Sequence, residues 1–274
     1  MSEITSEHVE EFAGRLRLKG LRGKTMQASS INSRLRVLRR IFHLAVEWGE
    51  IDSAPRFKLQ PGERHREHVL TAEEEAKYLA AANSLLNEIA TVLVDSGMCP
   101  DECFRQRWEN VTWVNGRFGT ILVIHGKTKA RRRVLPMTPR VRSVLGQRWQ
   151  AANKPGEGWV WPAPTKSGHV EPSTIKKQQH AKAIKLSKVR PFVLYTLRHT
   201  FLTRLGASGC DVWTLARIAG HSAIGISSRY VHPSEDRVLD AMAILGGHRT
   251  GHTQENAIKK DAVQIAASSA VPAV

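Results

Sequence analysis

Residues 195–232 read YTLRHTFLTRLGASGCDVWTLARIAGHSAIGISSRYVH, and this stretch decides how the rest of the chain is interpreted. It places Arg198, His221 and Tyr230 on separate turns or helices, with the tyrosine nine positions after the histidine. A guanidinium binds phosphate oxygens bidentately, an imidazole donates or relays a proton, and a phenol can act as a nucleophile. Together these groups predict covalent attack on a phosphodiester without a metal ion. The alternative is a purely structural helical pair with a buried tyrosine and a helix-capping Gly-His.

The order of these residues resembles the tyrosine recombinase (phage integrase) family, whose C-terminal motifs are H-x-x-R-H-T, L-G-H and a tyrosine nine residues later. The resemblance implies that Arg198 is the second active-site arginine, His221 the L-G-H histidine and Tyr230 the nucleophile. The L-G-H motif is present as Ala219-Gly220-His221, and Tyr195 replaces the histidine of H-x-x-R. This replacement removes one phosphate contact of the family pattern, and we expect the Tyr195 hydroxyl to supply a hydrogen bond instead.

A basic loop further upstream resembles a second family motif, a lysine between two strands of a small sheet. Residues 124–137 read IHGKTKARRRVLPM and place Lys127 at the family position, with Lys129 as the second choice. The resemblance implies that Lys127 protonates the 5′-oxygen of the leaving strand, provided that burial among cations lowers its pKa. The alternative is a lysine that only contacts the DNA backbone, a role that we also expect for Lys129 and Arg131.

Residues 95–111, DSGMCPDECFRQRWENV, resemble the family motif T-G-x-R-x-x-E-x-x-x-L-x-W but lack its arginine. Gly97, Glu102 and Trp108 fit the motif, whereas Cys99 occupies the position of the first active-site arginine. A thiol cannot bind two phosphate oxygens in a fork, and it carries no positive charge at neutral pH. Loss of a charged stabiliser of a phosphoryl transition state costs about three to five decades in rate. We therefore expect strand cleavage to be strongly impaired.

Three functions stay open on the sequence alone. The first is site-specific DNA recombination or integration through a 3′-phosphotyrosyl intermediate at Tyr230, with a rate lowered by Cys99. The second is a catalytically inactive DNA-binding relic or regulator that occupies recombination sites, and Cys99 favours it. The third is a type IB topoisomerase, which would relax supercoils without the paired half-sites that a recombinase needs. Arg105 and Arg107 lie too far along the predicted helix to replace the arginine missing at position 99.

The bulk composition indicates a polyanionic partner. The formal net charge is +16 and the isoelectric point is near 10.3, and no apolar run approaches bilayer length, so nucleic acid is favoured over a membrane surface. The polar N-terminus carries no secretory signal, and three cysteines without a C-x-x-C pair predict reduced thiols in a cytoplasmic protein. A zinc site is disfavoured, and we expect neither metal nor cofactor. Its candidate ligands would be Cys99, Cys103, His248 and His252.

The first 55 residues predict a short all-α DNA-binding domain. Ser6 is the candidate N-cap of a first helix that buries Val9, Phe12 and Leu16 and ends at Gly20. A second helix, from about residue 30 to residue 49, carries an apolar stripe. Its members are Ile31, Leu35, Leu38, Phe42 and Ala45.

The rest of the second helix is rich in arginine, and we interpret this face as a DNA contact rather than a merely solvated surface. The residues concerned are Arg34, Arg36, Arg39 and Arg40. Members of the family usually have a fuller N-terminal domain, so residues 1–55 are interpreted as truncated, wrongly started or decayed.

Residues 56–69 predict a linker because they combine proline, glycine and charge without a period. A capping box at residues 71–74 opens the catalytic, integrase-like domain, expected over residues 70–245. Its pattern is helical to about residue 107 and then predicts three short strands, at residues 111–113, 120–124 and 133–135. Helical periodicity resumes after residue 138 and again at about residue 173. A helix is expected at about residues 234–245, followed by a disordered tail at residues 246–274.

The densely basic segment 173–190 is expected to bind phosphate, with Lys176 and Lys177 in contact with DNA. The expected fold is mainly α with a small antiparallel β-sheet, an α+β catalytic domain of the DNA breaking-rejoining type preceded by the short all-α domain. The resemblance implies a C-shaped clamp around double-stranded DNA and a homotetramer on DNA during synapsis.

Overall fold

The computed structural model describes residues 3–18, 25–63, 68–126, 129–231, 239 and 242–243, without the side chains of Lys129, Lys176 and Lys177. The chain divides into two compact units, Met1–Glu67 and His68–Val274. Helices dominate both the element order and the core, and a single three-stranded antiparallel sheet lies in the described part of the second unit. The predicted fold class, mainly α with a small antiparallel sheet, is confirmed.

The first unit is built on two helices, α1 (Ser6–Leu18) and α2 (Ala28–Glu47). Its core forms where Val9, Ala13 and Leu16 of α1 meet Ile31 and Leu35 of α2. The predicted stripe of α2 is confirmed, because four of its five members are buried and the fifth is half-buried. The buried four are Ile31, Leu35, Phe42 and Ala45.

The start of α1 differs from the prediction. Ser6 is the first helical residue rather than the cap, and its Oγ accepts the backbone N–H of Arg56 at 2.8 Å. Thr5 Oγ1 instead accepts the backbone N–H of His8 at 3.4 Å, which is the bond expected of an N-cap. The predicted stop at Gly20 lies outside the described residues.

Part of the segment predicted as a linker packs against the first unit. Phe57 and Leu59 lie against its apolar core. Asn32 of α2 exchanges two hydrogen bonds with the backbone of Gln60, donating to the carbonyl at 2.9 Å and accepting the N–H at 2.7 Å. A side-chain amide can satisfy both backbone groups of one residue in this way, so these contacts fix residues 57–60 to α2.

The second unit opens as predicted with a capping box at Thr71, and the segment whose pattern is helical to about residue 107 is divided among several helices. Three helices stand there, α3 (Ala72–Ala81), α4 (Ser84–Ser96) and α5 (Pro100–Phe104). Asn83 starts α4 by accepting a backbone N–H at 3.1 Å. Gly97 ends it with a φ of 66°, which glycine adopts without strain. Cys99 consequently lies at a junction between helices rather than within one.

The sheet confirms the three predicted strands in antiparallel order β1-β2-β3: β1 (Val111–Thr112), β2 (Thr120–Val123) and β3 (Arg133–Pro136). Ile121 pairs with Val111 on one side and with Leu135 on the other. All three side chains are buried in the core of the second unit.

The remaining helices follow the sheet in the chain, and two of them pack closely against α4. They are α6 (Pro139–Ala151), α7 (Pro172–Thr174), a π-helical turn (Ile175–His180), α8 (Ala181–Ser187), α9 (Tyr195–Ala207), α10 (Val212–Ala219) and α11 (Ile224–Ser227). The helix predicted near residues 234–245 and the predicted tail lie almost wholly outside the described residues. Within the described part of the chain, no helix is both long and apolar enough to cross a membrane.

Candidate active site

Arg198, His221 and Tyr230 come from three separate elements and meet in the second unit. Arg198 lies in α9, His221 follows the Gly220 C-cap of α10, and Tyr230 ends a 3₁₀ turn over Ser228–Tyr230. The Arg198 Nη2 and His221 Nε2 atoms are 3.3 Å apart. The His221 and Tyr230 rings stack with centroids 6.3 Å apart and planes inclined by 18°. A helical pair with an unrelated buried tyrosine would not require this convergence.

Arg198 is fully buried and held mainly by backbone carbonyl groups. Nη1 donates to Gly97 and Nη2 to Ala219, both at 2.6 Å. Nη1 also lies 3.9 Å from a carboxylate oxygen of Glu102. Nε has no hydrogen-bond partner among the residues that the structure describes. Because a buried, unpaired N–H is costly, Nε is the donor of this guanidinium that a hydrogen-bond acceptor would stabilise most.

His221 is held between Arg198 and Ser227, whose Oγ lies 2.7 Å from Nδ1. A guanidinium can only donate, so Nε2 accepts from Arg198 and the ring proton resides on Nδ1, where it bonds Ser227. Burial, followed by the positive charges of Arg198 and Arg131, lowers the pKa of His221 to about 4. His221 is therefore neutral at neutral pH in this arrangement and holds no proton on Nε2.

Tyr230 is 9% exposed, and its hydroxyl lies 3.2 Å from Nδ1 of His199. Burial is the main cause that raises the pKa of Tyr230 above its usual value. A nucleophilic phenol in such surroundings needs a proton acceptor, and His199 is the side chain placed to accept. Neither His199 nor Ser227 was predicted from the sequence, although His199 directly follows Arg198 in the R-H-T motif.

The backbone of Tyr230 is positioned by a close approach of α9. A Cβ atom added at Gly206 would lie 1.8 Å from the carbonyl oxygen of Tyr230. A glycine at this helical position therefore lets the segment that carries the tyrosine lie directly on α9.

Cys99 lies beside a buried carboxylate. Its backbone N–H donates to Glu102 Oε2 at 2.8 Å, and Arg133 binds both oxygens of the same carboxylate at 3.2 and 3.0 Å. Burial by itself would raise the pKa of Glu102, but the hydrogen bonds and charge of Arg133 outweigh it, so the pKa is lowered. The Cys99 Sγ atom accepts a hydrogen bond from Arg131 Nη1 at 2.9 Å.

The two arginines that follow Cys99 in sequence are engaged elsewhere, in agreement with the prediction that they do not replace the missing arginine. Arg105 pairs with Asp101 at 3.3 Å. Arg107 pairs with Glu109, and its guanidinium carbon lies 4.7 Å from the ring centroid of Trp159.

Tyr195 is the first residue of α9 and lies one turn before Arg198 on the same helix. The residue is 43% exposed. Lys127, the predicted general acid, lies outside the described residues. The backbones of Lys129, Lys176 and Lys177 are placed in helical turns, but their side chains lie outside the description.

The predicted arginine face of α2 is partly occupied by acidic side chains. Arg36 forms a fork on Glu63 at 3.1 and 2.7 Å, and Arg40 pairs with a glutamate later in α2 at 2.9 Å. Arg34 donates to a backbone carbonyl one turn back at 2.8 Å. Arg39 is exposed and makes no ion pair with any described residue. The four arginines are therefore not equally available to a partner.

A helical domain with a small antiparallel sheet and an Arg–His–Tyr cluster defines a class of protein, that of the tyrosine recombinases. The family model described as "Phage integrase family" matches residues 68–237, which include the sheet, α9 and the whole Arg–His–Tyr cluster. The chain belongs to the phage integrase family.

Two curated relatives show how far the similarity extends. Tyrosine recombinase XerD of Rhizobium meliloti (strain 1021) is 31% identical over 135 residues, 46% of this chain and 40% of that protein. The integrase of Escherichia phage P2 is 26% identical over 249 residues, 88% of this chain and 65% of that protein. The chain thus spans less than two thirds of the length of either relative.

Solved structures with the same fold include two protein–DNA complexes. The Tn1549 transposon integrase in complex with circular intermediate DNA has a TM-score of 0.69 at 19% identity, with 88% of this chain and 85% of that chain covered. The XerH site-specific recombinase, in a post-cleavage complex with a palindromic difH substrate, has a TM-score of 0.63 at 18% identity, with 89% and 71% covered. At such identities these likenesses support the fold.

Proposed function

We propose that this chain breaks and rejoins double-stranded DNA at specific sites through a 3′-phosphotyrosyl intermediate at Tyr230. The observation that carries the proposal is the stacking of Tyr230 on His221, which is itself bonded to Arg198. Membership of the phage integrase family supports it, as do the DNA complexes of the fold neighbours. The net charge of +16 supports a polyanionic substrate.

In the proposed reaction the Tyr230 oxygen attacks the scissile phosphorus. The new O–P bond forms as the bond from phosphorus to the 5′-oxygen breaks, and the phenolic proton passes to Nδ1 of His199, 3.2 Å away. The resemblance assigns protonation of the departing 5′-oxygen to Lys127. A 5′-hydroxyl of a partner strand then attacks the phosphotyrosine and releases Tyr230. The phosphodiester energy is conserved throughout, so the exchange needs no high-energy cofactor.

Arg198 and His221 are proposed to stabilise the pentavalent phosphate. Arg198 would use Nε, which has no hydrogen-bond partner among the described residues, and Tyr195 would add a hydrogen bond from the start of α9. A phosphate placed beside His221 would raise the pKa of the imidazole from about 4, because an anion favours the protonated form. Binding of the substrate would in this way protonate His221, which is neutral when no substrate is bound.

Contacts with the DNA backbone are proposed for eight further basic residues. A homotetramer is proposed to hold two duplexes during synapsis. Such phosphate contacts set register and affinity, whereas base contacts set the target sequence. The proposed residues are Arg34, Arg36, Arg39, Arg40, Lys129, Arg131, Lys176 and Lys177.

The second candidate function is DNA binding without cleavage, as a regulator or relic that occupies recombination sites. Cys99 favours it, because a thiol stands where the family pattern has a phosphate-binding arginine. In the first candidate function, site-specific recombination, Cys99 would slow DNA cleavage without abolishing it.

A library of nicked duplexes with randomised flanking sequence separates the two candidates and selects the target sequence in the same experiment. Loss of the short fragment beyond the nick traps the covalent intermediate, which is recovered on denaturing gels and sequenced. Tyr230→Phe is the matched variant, since it removes only the attacking oxygen.

Three results are distinguishable. A wild-type adduct on a recurrent sequence that is absent from Tyr230→Phe supports the recombinase. An adduct formed by Cys99→Arg but not by the wild type identifies an inactivated recombinase. If neither forms an adduct while both bind the duplexes, the chain is a DNA-binding protein without cleavage activity, and the assignment of Tyr230 as nucleophile is wrong.

A further inference from the structure

Arg131 lies at the position where the site lacks an arginine. It ends the 3₁₀ turn Lys129–Arg131 before β3, 32 positions after Cys99. Its Nη1 atom donates to Cys99 Sγ at 2.9 Å and to Glu102 Oε1 at 3.2 Å. A cysteine side chain ends one atom beyond Cβ, so the space that a longer side chain would fill is open to another group. The guanidinium of Arg131 lies directly beside the Cys99 sulfur.

Two glycines allow Arg131 to reach this place. A Cβ atom added at Gly126 would lie 2.2 Å from the Cβ of Arg131, so only glycine leaves room for the arginine stem. A Cβ atom added at Gly220 would lie 3.2 Å from the Cα of Arg131. Because Gly220 immediately precedes His221, the backbone of Arg131 packs directly beside the catalytic histidine.

Arg131 is also electrostatically part of the site. Glu102 connects it to Arg198, lying 3.2 Å from the first guanidinium and 3.9 Å from the second. The charge of Arg131 contributes to the lowered pKa of His221. These contacts place Arg131 in the same charged cluster as the Arg198–His221 pair.

Exposure distinguishes Arg131 from the other arginines bound to or facing Glu102. Its side chain is 28% exposed, against 4% for Arg133 and 0% for Arg198. Only Nη1 of Arg131 is hydrogen-bonded to described residues, which leaves Nε and Nη2 as donors. An accessible guanidinium with two donor atoms that no described residue binds is suited to bind two oxygens of a phosphate.

We propose that Arg131 supplies the phosphate-binding guanidinium that position 99 lacks, as a catalytic residue that contacts a non-bridging oxygen of the scissile phosphate. The proposal rests on the proposed strand cleavage at Tyr230. Glu102 holds Nη1, and the remaining donors face the phosphate. In this arrangement the small side chain of Cys99 leaves space for Arg131, which lies in the β2–β3 connection.

The alternative role for Arg131 is to neutralise Glu102. Glu102 already receives two bonds from Arg133, so the carboxylate stays paired when Arg131 is removed. A neutralising role also has no connection with the charge of the substrate, which gives a way to distinguish the two roles.

The first test measures single-turnover adduct formation on the nicked duplex selected by the wild type. Arg131→Ala should slow it by about 10³-fold or more, the loss typical of a transition-state arginine. Arg132→Ala, which removes the same charge from the exposed neighbouring residue, should slow it less than about tenfold. Adding Cys99→Arg to Arg131→Ala should restore the rate by at least about tenfold, because position 99 then supplies the guanidinium that position 131 has lost. Equal, small losses in Arg131→Ala and Arg132→Ala overturn the proposal.

A methylphosphonate at the scissile position separates catalysis from structure. Replacing one charged oxygen by methyl removes the charge that Arg131 would neutralise, so the loss caused by Arg131→Ala should shrink on this substrate. If Arg131→Ala loses equally much rate on both substrates, Arg131 only neutralises the Glu102 carboxylate and does not contact the phosphate. Arg131→Gln, which keeps much of the stem and an N–H donor, is the second variant should the alanine variant unfold.

Inorganic phosphate tests the site without a target sequence. The unfolding temperature of the wild type and of Arg132→Ala should rise in phosphate relative to chloride of equal ionic strength, and that of Arg131→Ala should rise less. Identical shifts in all three proteins overturn the phosphate-binding role. If phosphate stabilisation depends on Arg131 but no protein forms an adduct, the proposed cleavage fails while the phosphate site stands.

Discussion

At the scale of single residues, the most informative side chain is His221. Its spacing from Tyr230 is visible in the sequence, but its protonation depends on Ser227, Arg198 and burial. A histidine whose Nε2 accepts from a guanidinium is a poor proton donor until an anion arrives. His221, predicted from the sequence as a proton donor, would therefore act in this role only when a substrate phosphate is bound.

The lowered pKa of His221 predicts a pH-dependent stability. The pKa is about 4 in the folded state and 6.5 for an unperturbed histidine, so the unfolded chain binds a proton first as the pH falls. The contribution to the free energy of unfolding is complete above about pH 6.5 and is lost between pH 6.5 and pH 4. From pH 7 to pH 5, His221→Asn should lose about 2 kcal/mol less stability than the wild type.

Urea unfolding followed by tryptophan fluorescence at the two pH values measures this difference. The signal reports mainly on the second unit, where six of the seven tryptophans lie. Equal pH dependence in the wild type and in His221→Asn would show that the imidazole titrates alike in both states.

At the scale of elements, α9 organises the site. It carries Tyr195, Arg198 and His199 on its first turns, and Gly206 on its last turn meets the carbonyl of Tyr230. The spacing of Tyr195, Arg198 and His199 on α9 was recognisable from the sequence as a family motif. The approach of the Tyr230 segment to Gly206 was not, because it depends on how a later turn folds back onto the helix.

Gly206→Ala should displace the Tyr230 segment. An added methyl would lie 1.8 Å from the Tyr230 carbonyl oxygen, and such overpacking costs about 1–3 kcal/mol. Both the free energy of unfolding and adduct formation should fall. Urea unfolding and the nicked-duplex assay measure the two effects.

Gly146→Ala in α6 is the matched control. A Cβ atom there has no neighbour within 4 Å, so alanine should raise the free energy of unfolding by about 0.5–1 kcal/mol through its better helix propensity. A stabilising effect of Gly206→Ala similar to that of Gly146→Ala would contradict the close approach.

At the scale of the whole molecule, net charge overstates the number of cations available to DNA. The total of +16 is visible in the sequence, but the structure engages many arginines with carboxylates or carbonyls. Arg36 is the clearest case of an engaged arginine. It pairs with Glu63, which belongs to the segment predicted as a linker. Exposure and pairing together decide which charges a phosphate can reach.

The difference between Arg39 and Arg36 is measurable as a salt dependence. Each phosphate contact adds about 0.9 to the magnitude of the slope of log affinity against log salt on duplex DNA. Arg39→Ala should lower that magnitude by about 0.9, whereas Arg36→Ala should lower it less because Glu63 already pairs Arg36. Fluorescence anisotropy with a random-sequence duplex at several salt concentrations gives both slopes. Equal changes would mean that the Arg36–Glu63 pair opens on DNA.

The sequence by itself determined the family, the Arg198–His221–Tyr230 set, the three strands and the buried stripe of α2. Each of these depends on residue types at short, regular spacings, which local geometry dictates. It also determined that Cys99 stands where the family pattern has an arginine.

Only the tertiary structure decided which group lies beside Cys99. The bonds from Arg131 to Cys99 and from His199 to Tyr230 join residues 32 and 31 positions apart. Contacts between residues so distant in sequence are set by how the helices and the sheet pack together, and neither composition nor periodicity encodes them locally. For the same reason the break between α4 and α5, which turns Cys99 toward Arg131, followed from the packed structure rather than from the helical pattern.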